Sequence, residues 1–293
     1  LRTAAEADAV LDSTESALLF EGFCASASQA ALSAVPAPLD AAHPYGHALL
    51  AALAREGLAA EDQGGWRLLL DNPLPEAREI WRSILATAPW LAHELAWAAR
   101  AAEALPAAIA GAATPAPLPL DGAGFARMAG VLDAALGAVL ADWPRDRPLH
   151  VLEAGAGGAL TRRILARLAA SGVAASFTLL GEPRAGALPA DMGDVDVAWS
   201  PWMPGGDAPP PPPADIILGL GAGARGGAGP ALAAALRPLA APGAALLLAE
   251  PLPGWLWNFC TGQADAAGLA DQHDWTAALE RAGWLGALAQ PMA

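Results

Sequence analysis

Apolar and polar positions along the chain follow two rhythms. In residues 1–143 apolar side chains recur at helical spacing. The stretch "YGHALLAALAREGLAA" (45–60) predicts an amphipathic helix with Gly57 near its end. "GGWRLLLDNPLP" (64–75) predicts a short extended piece closed by a turn. "PEAREIWRSILATAPWLAHELAWAARAAEALPAAIAG" (75–111) predicts one or two helices, interrupted near Pro89 and stopped near Pro106. "TPAPLPL" (114–120) reads as a connector, and "AGFARMAGVLDAALGAVLADW" (123–143) as another amphipathic helix.

After "PRDRP" (144–148) short apolar runs alternate with helical segments. Strands are predicted at 149–154, 175–180, 195–199, 214–220 and 243–250, and helices at 159–172 and 229–240. This alternation predicts an α/β fold, a parallel sheet with helices on both faces. The chain thus divides into a helical part, 1–143, and an α/β part, 144–293. Pro209 to Pro213 form a stiff polyproline loop before the next strand. There is no internal repeat.

Composition changes this picture in three ways. Hydrophobic residues make up 55% of 293, but many are alanine, and the 16 basic residues are all arginine. Such bias suits a GC-rich genome, so much of the alanine carries no structural message. The net charge of -14 repels phosphate backbones and anionic lipid, which argues against nucleic acid and membrane as partners. No apolar run is long and bulky enough to span a bilayer, and no basic segment leads into an apolar one at the start. The two cysteines, Cys24 and Cys260, have no metal-ligand spacing and read as buried thiols of a cytoplasmic protein, with no metal site. The first residue is Leu1, as in a segment cut from a longer chain.

The chemistry concentrates in "HVLEAGAGGALTRRIL" (150–165), where a strand ends in Glu153, runs into Gly155, Ala156, Gly157 and Gly158, and gives way to a helix. A glycine turn there lets a ligand approach the backbone and sets a helix N-terminus beside it. A nicotinamide site needs a small residue where this chain has Leu160. Glu153, two residues before the first glycine, is instead typical of S-adenosylmethionine (SAM) sites. A glycine-rich turn with no ligand is the plain alternative.

These residues resemble the first motif of SAM-dependent methyltransferases, in particular the C-methyltransferase domains of modular polyketide synthases. The resemblance continues in order through "FTLLGEP", "ADIILGLGAGA", "LRPLAAPGAALLLAEP" (236–251) and "WTAALERAGW" (275–284). Upstream, "LAREGLAAEDQGGWRLL" and "LPAAIAG" resemble the helical lid of such domains. The family implies a Rossmann-like sheet preceded by an N-terminal helical lid. It also implies a β-ketoacyl substrate on a carrier protein, and a histidine–glutamate pair that removes the α-proton before methyl transfer from SAM.

The departures fall on that chemistry. The third glycine of the family's G-A-G-T-G-G turn is Ala159 here. The acid expected at the end of the second strand aligns with Gly181, and Glu182 stands one residue late. The acid that would meet the adenine amino group is replaced around Pro201 and Trp202. In the fourth-strand motif, "SNVLHA" in the family, the asparagine becomes Gly221 and the catalytic histidine becomes Ala224, while Glu250 remains. His273 in "DQHDW" is a candidate substitute base, but reads better as an exposed histidine capping the following helix. His43, His47, His93 and His150 read as structural or surface residues. Most of the 11 tryptophans, Trp255 and Trp257 among them, read as core fillers in an alanine-rich chain rather than as a substrate tunnel.

Three functions compete. The first is a pseudo-methyltransferase of a polyketide or hybrid synthase, with Glu153, Gly155, Ala156, Gly157, Gly158, Glu182 and Gly221 as a vestigial cofactor site, Glu250 as the remnant of the catalytic pair, no SAM bound, and neighbouring synthase domains as partners. The second is an active C- or O-methyltransferase acting with SAM on an acyl chain held by an acyl carrier protein. The third, a nicotinamide reductase, is opposed by Leu160 and by the lack of any lysine to complete a Tyr-x-x-x-Lys pair.

Overall fold

The computed structural model describes residues 10–35, 44–63, 65–71, 74–112, 122–155, 158–181, 195–226, 228–261 and 269–289. The described residues form two compact units. One holds 6–123 and 253–266, and the other holds 124–252 and 267–292.

The first unit is helical. Its elements are α1 (Val10–Ser33), α2 (Pro44–Arg55), the strands β1 (Ala59–Asp62) and β2 (Gly65–Leu68), α3 (Ala77–Thr87), α4 (Ala92–Ile109) and α9 (Trp255–Thr261). β1 and β2 pair antiparallel, Ala59 opposite Leu68, so the extended piece foreseen at 64–75 acquires a partner strand. The helical break near Pro89 is present. Pro106, however, does not stop α4, which continues to Ile109 because Leu105 and Ile109 are both buried. Tyr45, Leu50, Leu53, Ile84, Trp97 and Phe259 belong to one apolar core. Trp97 meets Trp257 edge to face at 5.7 Å, and Phe23 meets Phe259 at 6.2 Å. Cys24 and Cys260 are buried free thiols, and burial pushes both up.

The second unit holds α5 (Ala123–Ala141), β3 (Leu149–Ala154), α6 (Ala159–Ser171), β4 (Ala175–Leu180), β5 (Asp196–Ser200), β6 (Ala214–Leu220), α7 (Ala222–Gly226), α8 (Ala231–Leu236), β7 (Ala240–Ala249) and α10 (Gln272–Arg281). The five strands form a parallel sheet in the order β5-β4-β3-β6-β7, flanked by helices, as the β-α alternation predicts. β3 and β6 are buried at nearly every position, hence their mostly apolar sequences. At the edge, β5 alternates exposed and half-buried side chains.

Two segments lie in a different unit from the one the sequence suggests. α5 falls within 1–143 in sequence, yet belongs with the sheet, where Phe125, Leu132, Leu136 and Leu140 are buried. Residues 253–266 fall within 144–293, yet belong with the helices, because Phe259 and Trp257 pack into that core. α5 is also long and apolar enough by composition to cross a membrane, which corrects the expectation that no segment qualifies. Its apolarity comes largely from small residues, and its Asp133 is ion-paired to Arg167 on α6.

His150 is structural. Its backbone N–H donates to Asp215 (3.0 Å), Nδ1 lies 3.0 Å from the Pro213 carbonyl and Nε2 lies 2.9 Å from the Thr178 hydroxyl. A carbonyl only accepts, so Nδ1 donates to Pro213. One side chain thereby links β3 to β4 and to the loop before β6.

In the helical unit, the Tyr45 hydroxyl donates to the buried Phe259 carbonyl at 2.7 Å, joining α2 to α9. Tyr45→Phe should lower unfolding free energy by about 1–2 kcal/mol, because a buried carbonyl loses its donor. Urea denaturation of both proteins measures it.

Candidate functional site

In a parallel sheet of this order, the sequence in which strands are added reverses between β3 and β6, and ligands bind in the crevice beyond the strand ends at that point. The register puts Ala154 beside Gly219, so the turn after β3 lies against the turn after β6. The first turn begins at Gly155 (φ 75°) and enters α6 through Gly158. The second turns at Gly221 (φ 57°), whose N–H donates to the Ala249 carbonyl at 2.7 Å. Both φ values lie in the left-handed region that glycine adopts without strain.

Glu153 is buried, and its carboxylate accepts a 2.7 Å hydrogen bond from the Thr161 hydroxyl on α6. That contact fixes the last turn of β3 against the first turn of α6. Gly155 faces Arg225. A Cβ at position 155 would lie 2.7 Å from one guanidinium nitrogen of Arg225 and 3.2 Å from its central carbon. Arg225 curls back over the end of β6, donating to the Leu220 carbonyl (2.7 Å) and the Gly221 carbonyl (3.3 Å). The close approach that Gly155 permits is therefore used by the protein's own cation. Sequence reasoning passed over Arg225, although it directly follows the Ala224 that replaces the family's histidine.

Gly221 stands where the resemblance expects asparagine, and a side chain has no room there: a Cβ would lie 3.0 Å from the Phe125 ring. Glu250 follows β7. Its two oxygens accept the N–H groups of Gly223 (2.9 Å) and Ala224 (3.2 Å), so the carboxyl caps α7. Burial pushes the Glu250 carboxyl up to about 7, against the opposing effects of those N–H groups and of Arg225. Glu250 thus binds the backbone of Ala224, the position at which the resemblance expects a histidine.

His273 lies in the first turn of α10 and is exposed. It is not the helix cap foreseen for it. Asp271 takes that role, its carboxylate accepting the Asp274 N–H at 2.8 Å, since a short acceptor side chain suits a cap better than a ring. Ala156, Gly157 and Glu182 lie outside the described residues. Among the described residues no cluster of three or more His, Cys, Asp or Glu side chains could hold a metal ion. Among the described residues, a guanidinium lies against Gly155 and the Phe125 ring lies against Gly221.

No protein-family model and no curated protein sequence matches the chain. Solved structures do. The CurJ carbon methyltransferase aligns with a TM-score of 0.72 at 18% identity, over 93% of this chain and 86% of that one. The CMeT domain of the citrinin polyketide synthase aligns at 0.70 and 16%, over 91% and 83%. The DszA carbon methyltransferase aligns at 0.68 and 15%, over 93% and 83%. The chain therefore shares the fold of these methyltransferase domains, a Rossmann-like sheet with an added helical part.

Two outcomes follow from the geometry. In a double-mutant cycle, Gly155→Ala should destabilise the wild-type protein more than the Arg225→Ala variant. The left-handed strain is common to both backgrounds, so a coupling of about 0.5–3 kcal/mol reports the steric contact alone. Glu250 sets a pH dependence. Its folded value of about 7 lies above the ordinary carboxyl value of 4.5. Stability is therefore full below about pH 4.5 and falls as pH rises through 7, by on the order of 3 kcal/mol. Denaturation between pH 5 and 8 should show this loss in wild type and a smaller one in Glu250→Gln.

Proposed function

We propose that this chain is a methyltransferase-like domain of a polyketide or hybrid synthase that has lost methyl transfer and acts as a cytoplasmic structural domain, holding neighbouring domains of the synthase in place. The observation that carries this reading is the engagement of Glu250. A carboxyl that serves as a general base must be free to turn toward the proton it removes. Here both carboxyl oxygens accept backbone N–H groups, one of them from the residue at the histidine position. Arg225 against Gly155 supports the same reading from the cofactor side.

One observation favours a second reading, an active C- or O-methyltransferase using SAM on an acyl chain bound to a carrier protein. A carboxyl titrating near 7 has the acidity of a neutral-pH base. It would have to release α7 to act, and fold never settles activity.

Isothermal titration of SAM into the purified protein should give no heat of binding, and SAM should leave the melting temperature unchanged. A ligand at 100 times its dissociation constant would add about 2.7 kcal/mol. Micromolar binding, or transfer of radiolabelled methyl to a pantetheine-bound β-ketoacyl substrate, refutes the structural reading.

A further inference from the structure

The sharpest charge contrast in the chain lies along α5 and α6, away from the strand ends. Residues 124–173 contain six of the 16 arginines and only four acidic residues, one of them the buried Glu153. The rest of the chain carries ten arginines against 26 acids. A strongly acidic protein thus has one locally basic segment.

A groove of about 500 Å3 opens between these helices, bordered by Arg145, Arg163 and Arg167. Its remaining walls are mostly small: Gly137 and Ala141 on α5, Ala166 and Ala170 on α6. Arg167 forms a two-pronged ion pair with Asp133, at 2.7 Å for one prong. Arg145 donates to the Ser171 carbonyl at the end of α6. Arg163 is exposed and has no acidic partner among the described residues.

We propose that this groove docks an acidic helix of a partner protein. The guanidinium of Arg167 fills the space over Gly137, while Ala141, Ala166 and Ala170 leave room for another backbone to come close, as helix packing requires. The arginines offer planar forks that match carboxylates, and Arg167 with Asp133 is an instance of that pairing inside the groove. On each helix the lining residues run over nine positions, 133–141 and 163–171, and the rise of 1.5 Å per residue makes that about 12 Å, or two helical turns. An elongated occupant fits that length better than a single small anion does. The surrounding negative charge turns an acidic partner away elsewhere and steers it to this face. The inference goes beyond the structural reading and holds whether or not the domain transfers methyl groups.

The test uses the full chain and a fluorescent helical peptide of about four turns, bearing glutamates along one face and alanines along the other, with a glutamine twin. Anisotropy at low salt should show the glutamate peptide binding at least about tenfold more tightly than its twin, with most of that advantage lost at high salt. Arg163→Glu, which breaks no hydrogen bond or ion pair among the described residues, should weaken binding about tenfold while leaving the melting temperature nearly unchanged. Arg145→Glu combined with it should abolish binding. Equal binding of the two peptides, equal binding by wild type and Arg163→Glu, or inorganic pyrophosphate binding as tightly as the peptide, each overturns the proposal.

Discussion

A guanidinium laid across the end of β6 governs the carboxyl end of this sheet. Arg225 reaches the Leu220 and Gly221 carbonyls and lies against Gly155. Three local features make this possible. Gly221 turns the chain sharply out of β6, α7 carries position 225 one turn onward, and Gly155 lacks the Cβ that would collide with it. Each would otherwise read as ligand-binding design. Together they place a cation at the carboxyl end of the sheet, where a sheet of this order holds its ligand.

Glu250 completes the arrangement from β7. It caps α7 on the side where the chain leaves Gly221, so the short helix is held by a carboxyl and carries the arginine back over the sheet. The two charged groups oppose each other's effects. Burial raises the carboxyl, while Arg225 and the capped N–H groups lower it, and burial prevails.

The strands of the sheet were legible because β3, β4 and β6 are mostly apolar and lie between paired neighbours. The hairpin of β1 and β2 was only half legible. "AAED" has weak strand propensity, and pairing with β2 imposes its conformation. Pro106 misled as a helix stop, since burial of Leu105 and Ile109 outweighs one lost backbone bond near a helix end. At the site, the substitutions at Ala224 and Gly221 could be read from sequence, because they are missing side chains. What replaced them could not. Nothing in "GAGARGG" says that the arginine folds back rather than pointing outward, and only the register of β3 against β6 brings Gly155 beside it.

The survival of Glu250 is easily taken as a sign of retained chemistry, yet its energetics point elsewhere. A carboxylate buried without partners is unfavourable by several kcal/mol, so a site that loses a paired histidine must lose the acid or satisfy it. Here the first turn of α7 presents N–H groups that have no partner within the helix, and the acid accepts two of them. Carboxyl and helix end satisfy each other, and removing Glu250 would strand the N–H groups in turn. These bonds give Glu250 a role in folding whether or not the domain transfers methyl groups. The strand ladder and the apolar cores do not depend on the residues at the strand ends, which is why a scaffold of this kind can keep its shape while the groups at its carboxyl edge change their work.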